Sequence, residues 1–337
     1  MFVIADDITG AAEIAGIAHT LGVDATVIAT DTRSMTEAEA VAAVEDIAMR
    51  YDFANEHCVV FKKVNSALRG HVVAEINALL KHSHYRKVLY LPCNPSKGRV
   101  IRNGIYYVDD MPISDTAFHF DPEFPALSSS LKERFPCLDI HDAVSTDDIR
   151  RIVAAADDDT LLVGAADLFE AFCHAHASEN SIEPDEACKA AGASRYIIVQ
   201  GSTQSKDLSG TEFFQKNDFL LCPMPGDVFA GSERTDWISP TGNLCLTIPQ
   251  KSQGSPQWLK QAMARAVAEV IDTSEQGWEG TLIIEGGATA CAILTALGWK
   301  DFEVEKVIAP GVVMLQRDDS HIILKPGNAD IKVDYQS

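Results

Sequence analysis

The 337 residues carry 28 Lys and Arg against 49 Asp and Glu, a formal net charge of −21 at pH 7. That length is too great for one ordinary compact domain and suits two, and 46% hydrophobic with 23% charged residues is a soluble globular balance in which each half can hold its own core. So acidic a chain, with no Lys/Arg-rich run, meets a nucleic-acid backbone as a repulsive field, and no apolar run reaches the roughly 18 residues of a membrane span.

Short Val- and Ile-rich runs alternate with Ala-rich helical patterns, the signature of largely parallel α/β sheets. FVIA, from residue 2, reads as a strand and AAEIAGIAHTLG as a helix stopped by Gly22; TVIA and then EAEAVAAVEDIAMRY repeat the unit. VVFKKV and VLYLP are strands with helix GHVVAEINALLK between them. From Asn103 to Pro136 the periodicity fades, and Pro, Asp and aromatic residues predict a hairpin or ordered loop of the kind that enters binding sites. LDIHDAV reads as a strand, DDIRRIVAAA as a helix, and TLLVGAADLFEAF as strand and helix. The polar stretch HASENSIEPDEACKAAGAS places a domain boundary near residue 192, giving domains 1–192 and 193–337. The second domain restarts with strand RYIIVQ, a small-residue turn and a helix start at Ser205. It continues through LTIP, helix QWLKQAMARAVAEVID, strand TLIIE, helix ACAILTALG and strand-like VEKVIAPGVVMLQ and HIILK.

The eight cysteines, Cys58, Cys93, Cys137, Cys173, Cys188, Cys222, Cys245 and Cys291, form no CxxC pair and read as small buried hydrophobes in a reducing compartment. With no basic and apolar leader ahead of the first strand, the expected location is cytoplasmic. The histidine pairs HSH (82–84) and HAH (174–176) diverge at i,i+2 spacing and suggest no metal site.

Chemistry concentrates where predicted strands end. In ADDITGAAE, Asp6 and Asp7 follow a buried strand and precede a helix start, the place where open parallel sheets bind ligands; one Asp capping the helix and the other solvated is the alternative. FKKVNSALRG delivers Lys62, Lys63, Asn65, Ser66, Arg69 and Gly70, a planar guanidinium with short polar partners suited to a carboxylate. Lys97, Arg99 and Arg102 form a second short cationic cluster. GGAT (Gly286 to Thr289), QGSTQS (Gln200 to Ser205) and KPGN (Lys325 to Asn328) are small-residue turns after strands, where backbone N–H groups can approach phosphate. None is a P-loop or a GxGxxG fingerprint.

Taken in order, IADDITGAAE, FKKVNSALRG, NPSKGRVIRNGIYYVDDMPISDTAFHFDP, VGAADL, VQGSTQS, IIEGGATA, VIAPGV and ILKPGN resemble the four-carbon acid sugar kinase family over nearly the whole chain. The resemblance implies an α/β protein of two domains, an N-terminal sugar-acid-binding domain and a C-terminal nucleotide-binding domain, each with a largely parallel sheet flanked by helices and with a ligand cleft between them. It implies phosphorylation of a hydroxyl of a small sugar acid by ATP with Mg²⁺, neither nucleic acid nor membrane as partner, and leaves a homodimer open. By position it puts Asp6 and Asp7 at the acceptor hydroxyl or its metal, and Lys63, Ser66, Arg69, Gly70, Arg99 and Asn103 around the sugar acid. Gly201, Ser202, Gly286, Gly287, Thr289, Pro310, Gly311, Lys325, Gly327 and Asn328 fall on the nucleotide side. The chain departs from the family in having Asn65 for an aspartate, Ala288 for a glutamate and KPGNAD for Lys-Ser-Gly-Asn-Phe-Gly. These changes keep open the alternative of a homologue that binds without phosphoryl transfer.

Overall fold

The computed structural model describes residues 1–176, 195–201, 208–229, 232, 236–239, 241–248, 256–272 and 278–326. The chain divides into two compact units, Met1–Glu183 and Pro184–Ser337. The boundary expected near residue 192, like the helix start at Ser205, lies outside the described residues.

The first unit is built on five parallel strands, β1 (Phe2–Ala5), β2 (Thr26–Ala29), β3 (Val60–Lys63), β4 (Lys87–Leu91) and a later strand, Thr160–Gly164, in which the last lies between β3 and β4 and β1 lies between β2 and β3. Helices α1 (Ile8–Thr20), α2 (Glu37–Arg50) and α3 (Val72–His82) make the crossovers that parallel pairing demands. Each starts or stops on a local device. Asp7 is the N-cap of α1, extended at φ −147° and accepting the Gly10 N–H, and Gly22, at φ +63°, ends that helix. Thr36 and Glu39 close a capping box on α2.

After β4 the expected hairpin is a three-stranded antiparallel sheet of β5 (Arg99–Arg102), β6 (Ile105–Val108) and β7 (Met111–Pro112), followed by 3₁₀ turns and the short α4 (Leu131–Arg134). LDIHDAV, expected as a strand, is not one: it forms only two isolated bridges, Tyr90 with Ile140 and Ile101 with Ala143. These two residues bridge to different sheets, so no ladder can continue through the intervening His141 and Asp142, whose carboxylate instead accepts the Asn103 and Gly104 N–H groups. Helix α5 (Thr146–Ala154), capped by Ser145 and Asp148, strand β8 (Thr160–Gly164) and helix α6 (Ala166–His176) complete the unit. Phe61 on β3 packs edge-on against Phe169 at 5.0 Å, both fully buried, and each such burial is worth roughly 1.5–3 kcal/mol.

The second unit carries β9 (Tyr196–Gln200), β10 (Leu220–Pro223), β11 (Leu244–Thr247), β12 (Thr281–Glu285), β13 (Glu303–Ala309), β14 (Val312–Arg317) and β15 (Ser320–Lys325) in the order 10-11-9-12-15-14-13. The first five in that order are parallel, and β14 and β13 add an antiparallel hairpin turned by Pro310 and Gly311, the latter at φ +79°. The short α7 (Glu212–Lys216) and α8 (Gly226–Phe229) and the longer α9 (Pro256–Asp272) and α10 (Gly287–Ala296) accompany the sheet, α9 packing against α10. Every residue of β12 is buried, as expected for a central parallel strand. Cys93, Cys173, Cys222 and Cys245 are buried as expected, but Cys137 is exposed, because it lies in the turn after α4.

Candidate functional site

Strand order decides where the chemistry of the first unit meets. The chain leaves β1 for β2 on one side and returns to β3 on the other, so the crevice beyond the carboxyl ends of β1 and β3 is a topological switch point. Asp6 and Asp7 follow β1 there, and Lys63 ends β3 in register with Ala5.

The loop after β2 folds back over this point. Thr30 donates its N–H and its hydroxyl to Ala5 O, both at 2.9 Å, and Arg33 is thereby delivered onto both carboxylates. Its Nε and Nη2 reach Asp6 Oδ2 at 3.0 and 2.8 Å, and its Nη1 reaches Asp7 Oδ2 at 3.2 Å. Thr9 Oγ1 donates to Asp7 Oδ2 at 2.6 Å. Burial by itself would raise the Asp7 carboxyl, but the charges of Arg33 and Lys63 and the bonds from Thr9 and Gly10 outweigh it and hold Asp7 below the ordinary carboxylate range. Arg33 is held protonated in turn, burial being overcome by the two aspartates.

Lys63, buried, donates to Val64 O at 3.1 Å and lies 3.8 Å from Glu13, which also pairs with Lys97. A side chain at Gly10 would collide with Asp7 Oδ1 at 2.7 Å and crowd Lys63 Nζ at 3.3 Å, so the first turn of α1 comes this close to both only because residue 10 is glycine.

The loop after β3 is shaped by Asn65, whose Oδ1 accepts the Ala67 N–H at 2.8 Å and Arg69 Nε at 3.2 Å. Leu68 takes φ +60°, a strained conformation for a branched side chain, and is held there by burial and by Arg134 Nη2 donating to its carbonyl at 2.9 Å. Gly70, at φ +100°, comes close enough to Asp6 that a Cβ would sit 3.4 Å from Oδ2. Among the described residues Arg69 has one ion pair, a loose one of 3.6 Å to Asp121, and its pKa is lowered by burial and then by the neighbouring Arg33 charge, against the pull of Asp121, Asp7 and Asp6. A guanidinium so placed is poised to take an added carboxylate.

Ser66 accepts from Arg99 Nη1 through its hydroxyl and from Tyr106 at 2.6 Å through its carbonyl, and Arg99 lies over the Phe118 ring at 5.6 Å. Asn103 stands apart: it is exposed, at φ +51° in the β5–β6 turn, and its N–H is used by Asp142. Of the expected acid-side residues, the structure thus brings Asp6, Asp7, Lys63, Arg69 and Gly70 together, couples Ser66 to Arg99, and leaves Asn103 in a hairpin turn. Sequence reasoning missed Arg33, Glu13 and Asp121. Arg33 had a signal, since it lies just past the end of a predicted strand, as the aspartates do.

In the second unit one edge of the sheet collects the expected turns. Gln200, Glu285 and Lys325 are side by side in register at the carboxyl ends of β9, β12 and β15, and the antiparallel β14 brings Pro310 and Gly311 to that same edge. Lys325 Nζ pairs with Glu285 at 2.7 Å, both buried. Gly286, at φ +98°, donates its N–H to Lys325 O at 2.9 Å and opens α10 at Gly287 with no side-chain cap. A Cβ at Gly201 would overlap buried Thr289, so the β9 turn and α10 start are in direct contact. Ser202, Gly327 and Asn328 lie outside the described residues.

A pocket of about 610 Å³ lined by Lys87, Asp139, His141, Asp148, Arg151 and Thr160 opens instead at the amino ends of β4 and β8, the opposite edge of the first sheet. Within it Asp148 pairs with Arg151 and Asp139 lies 3.5 Å from His141, and it is remote from the aspartate pair in the topology.

Comparison with known proteins joins these two edges to one family. Residues 1–138 match the family model of a sugar-binding N-terminal domain, and residues 246–329 match that of a nucleotide-binding C-terminal domain. A D-threonate kinase of Salmonella typhimurium is 23% identical over 97% of this chain and 94% of its own length. Among solved structures, a Haemophilus influenzae protein superposes with a TM-score of 0.65 at 20% identity, covering 97% of this chain and 96% of that one. A Salmonella typhimurium protein described as a putative tRNA synthase gives 0.70 at 16% identity over 98% and 97%; likenesses at such identities speak for the fold alone. With both family models matched in order and a kinase relative spanning nearly the whole chain, the protein belongs to the four-carbon acid sugar kinase family.

Proposed function

We propose that this protein is an ATP-dependent kinase that transfers the γ-phosphoryl group to a hydroxyl of a small, four-carbon sugar acid. The observation that carries the reading is the Asp6–Asp7 pair at the switch point, bridged by Arg33 and with Asp7 held below the ordinary carboxylate range, with the loosely paired guanidinium of Arg69 beside it. Phosphoryl transfer needs positioning, a base for the hydroxyl and cations for spreading negative charge, and little covalent work from the protein. Arg69 would hold the acid's carboxylate, and Ser66 with Arg99 would hold its hydroxyls.

The nucleotide belongs on the second unit, where glycine turns and the uncapped start of α10 suit a triphosphate and Lys325 stands at the same sheet edge. Magnesium would come with the triphosphate, whose oxygens this ion takes as ligands beside one or two carboxylates. Asn65 does not favour the binding-only alternative, since its amide oxygen shapes the loop while both carboxylates remain at the β1 end. A cytoplasmic location agrees with the unpaired thiols of Cys58, Cys93, Cys137, Cys173 and Cys222.

The test is ADP formation by the purified chain with ATP, Mg²⁺ and a panel of three- to six-carbon sugar acids. We expect acid-dependent ADP, highest with a four-carbon acid, and a KM for that acid raised about tenfold to a hundredfold by Arg69→Ala. No acid exceeding the no-acid control, with ATP still raising the melting temperature, would instead establish a binding-only homologue.

A further inference from the structure

Resting on that reading, we infer that the proton of the acceptor hydroxyl goes to Asp6, through its Oδ1 atom, and that Arg33 is the positioning residue that reserves this atom for the substrate. The argument is a count of lone pairs. The two carboxylates offer four oxygens, each able to accept about two hydrogen bonds. Asp6 Oδ2 accepts Arg33 Nε at 3.0 Å and Nη2 at 2.8 Å. Asp7 Oδ2 accepts Thr9 Oγ1 at 2.6 Å and Arg33 Nη1 at 3.2 Å. Asp7 Oδ1 accepts the Gly10 N–H at 3.1 Å and lies 2.9 Å from Arg33 Nη2. Asp6 Oδ1 alone has no donor among the described residues, although Asp6 is 2% exposed.

A buried carboxylate oxygen with nothing to accept is costly and calls for a reason. Asp7 already has one: it is the cap of α1, with both oxygens committed. Asp6 has none until a hydroxyl arrives. Gly70 lets the loop after β3 come close to this carboxylate, a Cβ there lying 3.4 Å from Asp6 Oδ2, the oxygen that Arg33 holds. In the step itself, the acceptor hydroxyl oxygen forms its bond to the γ-phosphorus as the bond from that phosphorus to the bridging oxygen of ADP breaks. The hydroxyl proton passes to Asp6 Oδ1, and ADP leaves with the electron pair. Arg33 remains bound to Asp6 Oδ2 and to Asp7 throughout.

The experiment is steady-state kinetics of ADP formation for wild type, Asp6→Asn, Asp7→Asn and Arg33→Lys, with the acid-induced and ATP-induced rises in melting temperature measured beside it. Asp6→Asn should lower kcat about a thousandfold while KM for the acid changes less than about threefold, within the range of a lost general base. Asp7→Asn should lower kcat less than about tenfold. Asp7→Ser, which keeps a capping oxygen, serves in its place if that variant does not fold. Arg33→Lys should cost kcat about tenfold to a hundredfold with KM for ATP unchanged, because an ammonium cannot hold both carboxylates at once. A purely structural Arg33 would lower the melting temperature and leave kcat at the wild-type level. A deeper kcat loss in the Asp7 variants than in Asp6→Asn overturns the assignment and leaves the kinase reading standing. Wild-type protein that forms no acid-dependent ADP overturns both.

Discussion

Among the described residues each unit has one Lys–Glu ion pair with both partners buried, and the two are placed for opposite ends. In the first unit Lys62 Nζ lies 2.6 Å from Glu75, neither side chain more than 2% exposed, and the pair ties β3 to α3 beneath the sheet's edge. In the second, Lys325 and Glu285 are the last residues of neighbouring strands, 2.7 Å apart, beside Gly286 and the start of α10. A buried ion pair is weak evidence for stability in itself, since desolvation takes back much of the attraction. Position is therefore the better guide: a pair sealed under a helix can only hold the fold, whereas one at a strand end can exchange its partner for a phosphate.

The largest expected effect breaks the sealed pair. Lys62→Met should destabilise the first unit by about 3–5 kcal/mol in urea unfolding, because it strands a buried carboxylate, while Lys62→Met with Glu75→Leu should recover most of that loss and keep acid-dependent activity. The same double replacement at Lys325 and Glu285 should be tolerated in stability but abolish the ATP-induced rise in melting temperature; an intact ATP response would erase the contrast between the pairs.

A smaller effect sharpens the same contrast at the backbone. Gly201→Ala drives a Cβ into overlap with Thr289 and should cost about 3 kcal/mol or more, the upper end of overpacking. Gly286→Ala meets nothing closer than 3.9 Å, so only the strain of its φ of +98° should appear, about 1–2 kcal/mol. Equal costs in a denaturant titration would mean that the β9 turn and α10 are not in the contact described.

The smallest effect is one of pH. Asp7 and Glu13 have folded pKa values below their ordinary ones, so the stability they contribute is complete above the unfolded value, about 4, and is lost as the pH falls through the lower folded values. Asp7→Asn should therefore lower the melting temperature most near pH 7, where that contribution is complete, and the gap to wild type should close as the pH falls below about 4, a difference read from melting temperatures from neutral into the acid range.

Much of this could be foreseen from the chain, and the limits are physical. FVIA, VVFKK and TLIIE are buried strands because apolar runs of that length have nowhere else to go, and the turns after them are where α/β sheets place ligands. LDIHDAV had the composition of a strand edge, but whether it pairs depends on which sheets lie on either side, and no local pattern contains that. Asn103 shares a stretch with Arg99, yet a left-handed turn carries it to solvent while Arg99 folds in over Phe118.

Periodicity and punctuation are local properties, and they sufficed for two α/β units and for placing Asp6, Asp7 and Arg69, like the glycine turns of the second unit, just beyond strand ends. The division of labour between the aspartates is not local. It rests on Arg33, 26 residues from Asp7, arriving because β2 pairs with β1 and its loop folds back over Ala5. Hydrogen-bond saturation is a count over atoms that meet only in three dimensions, and so the empty lone pairs of Asp6 Oδ1 became visible only once the strands were in order.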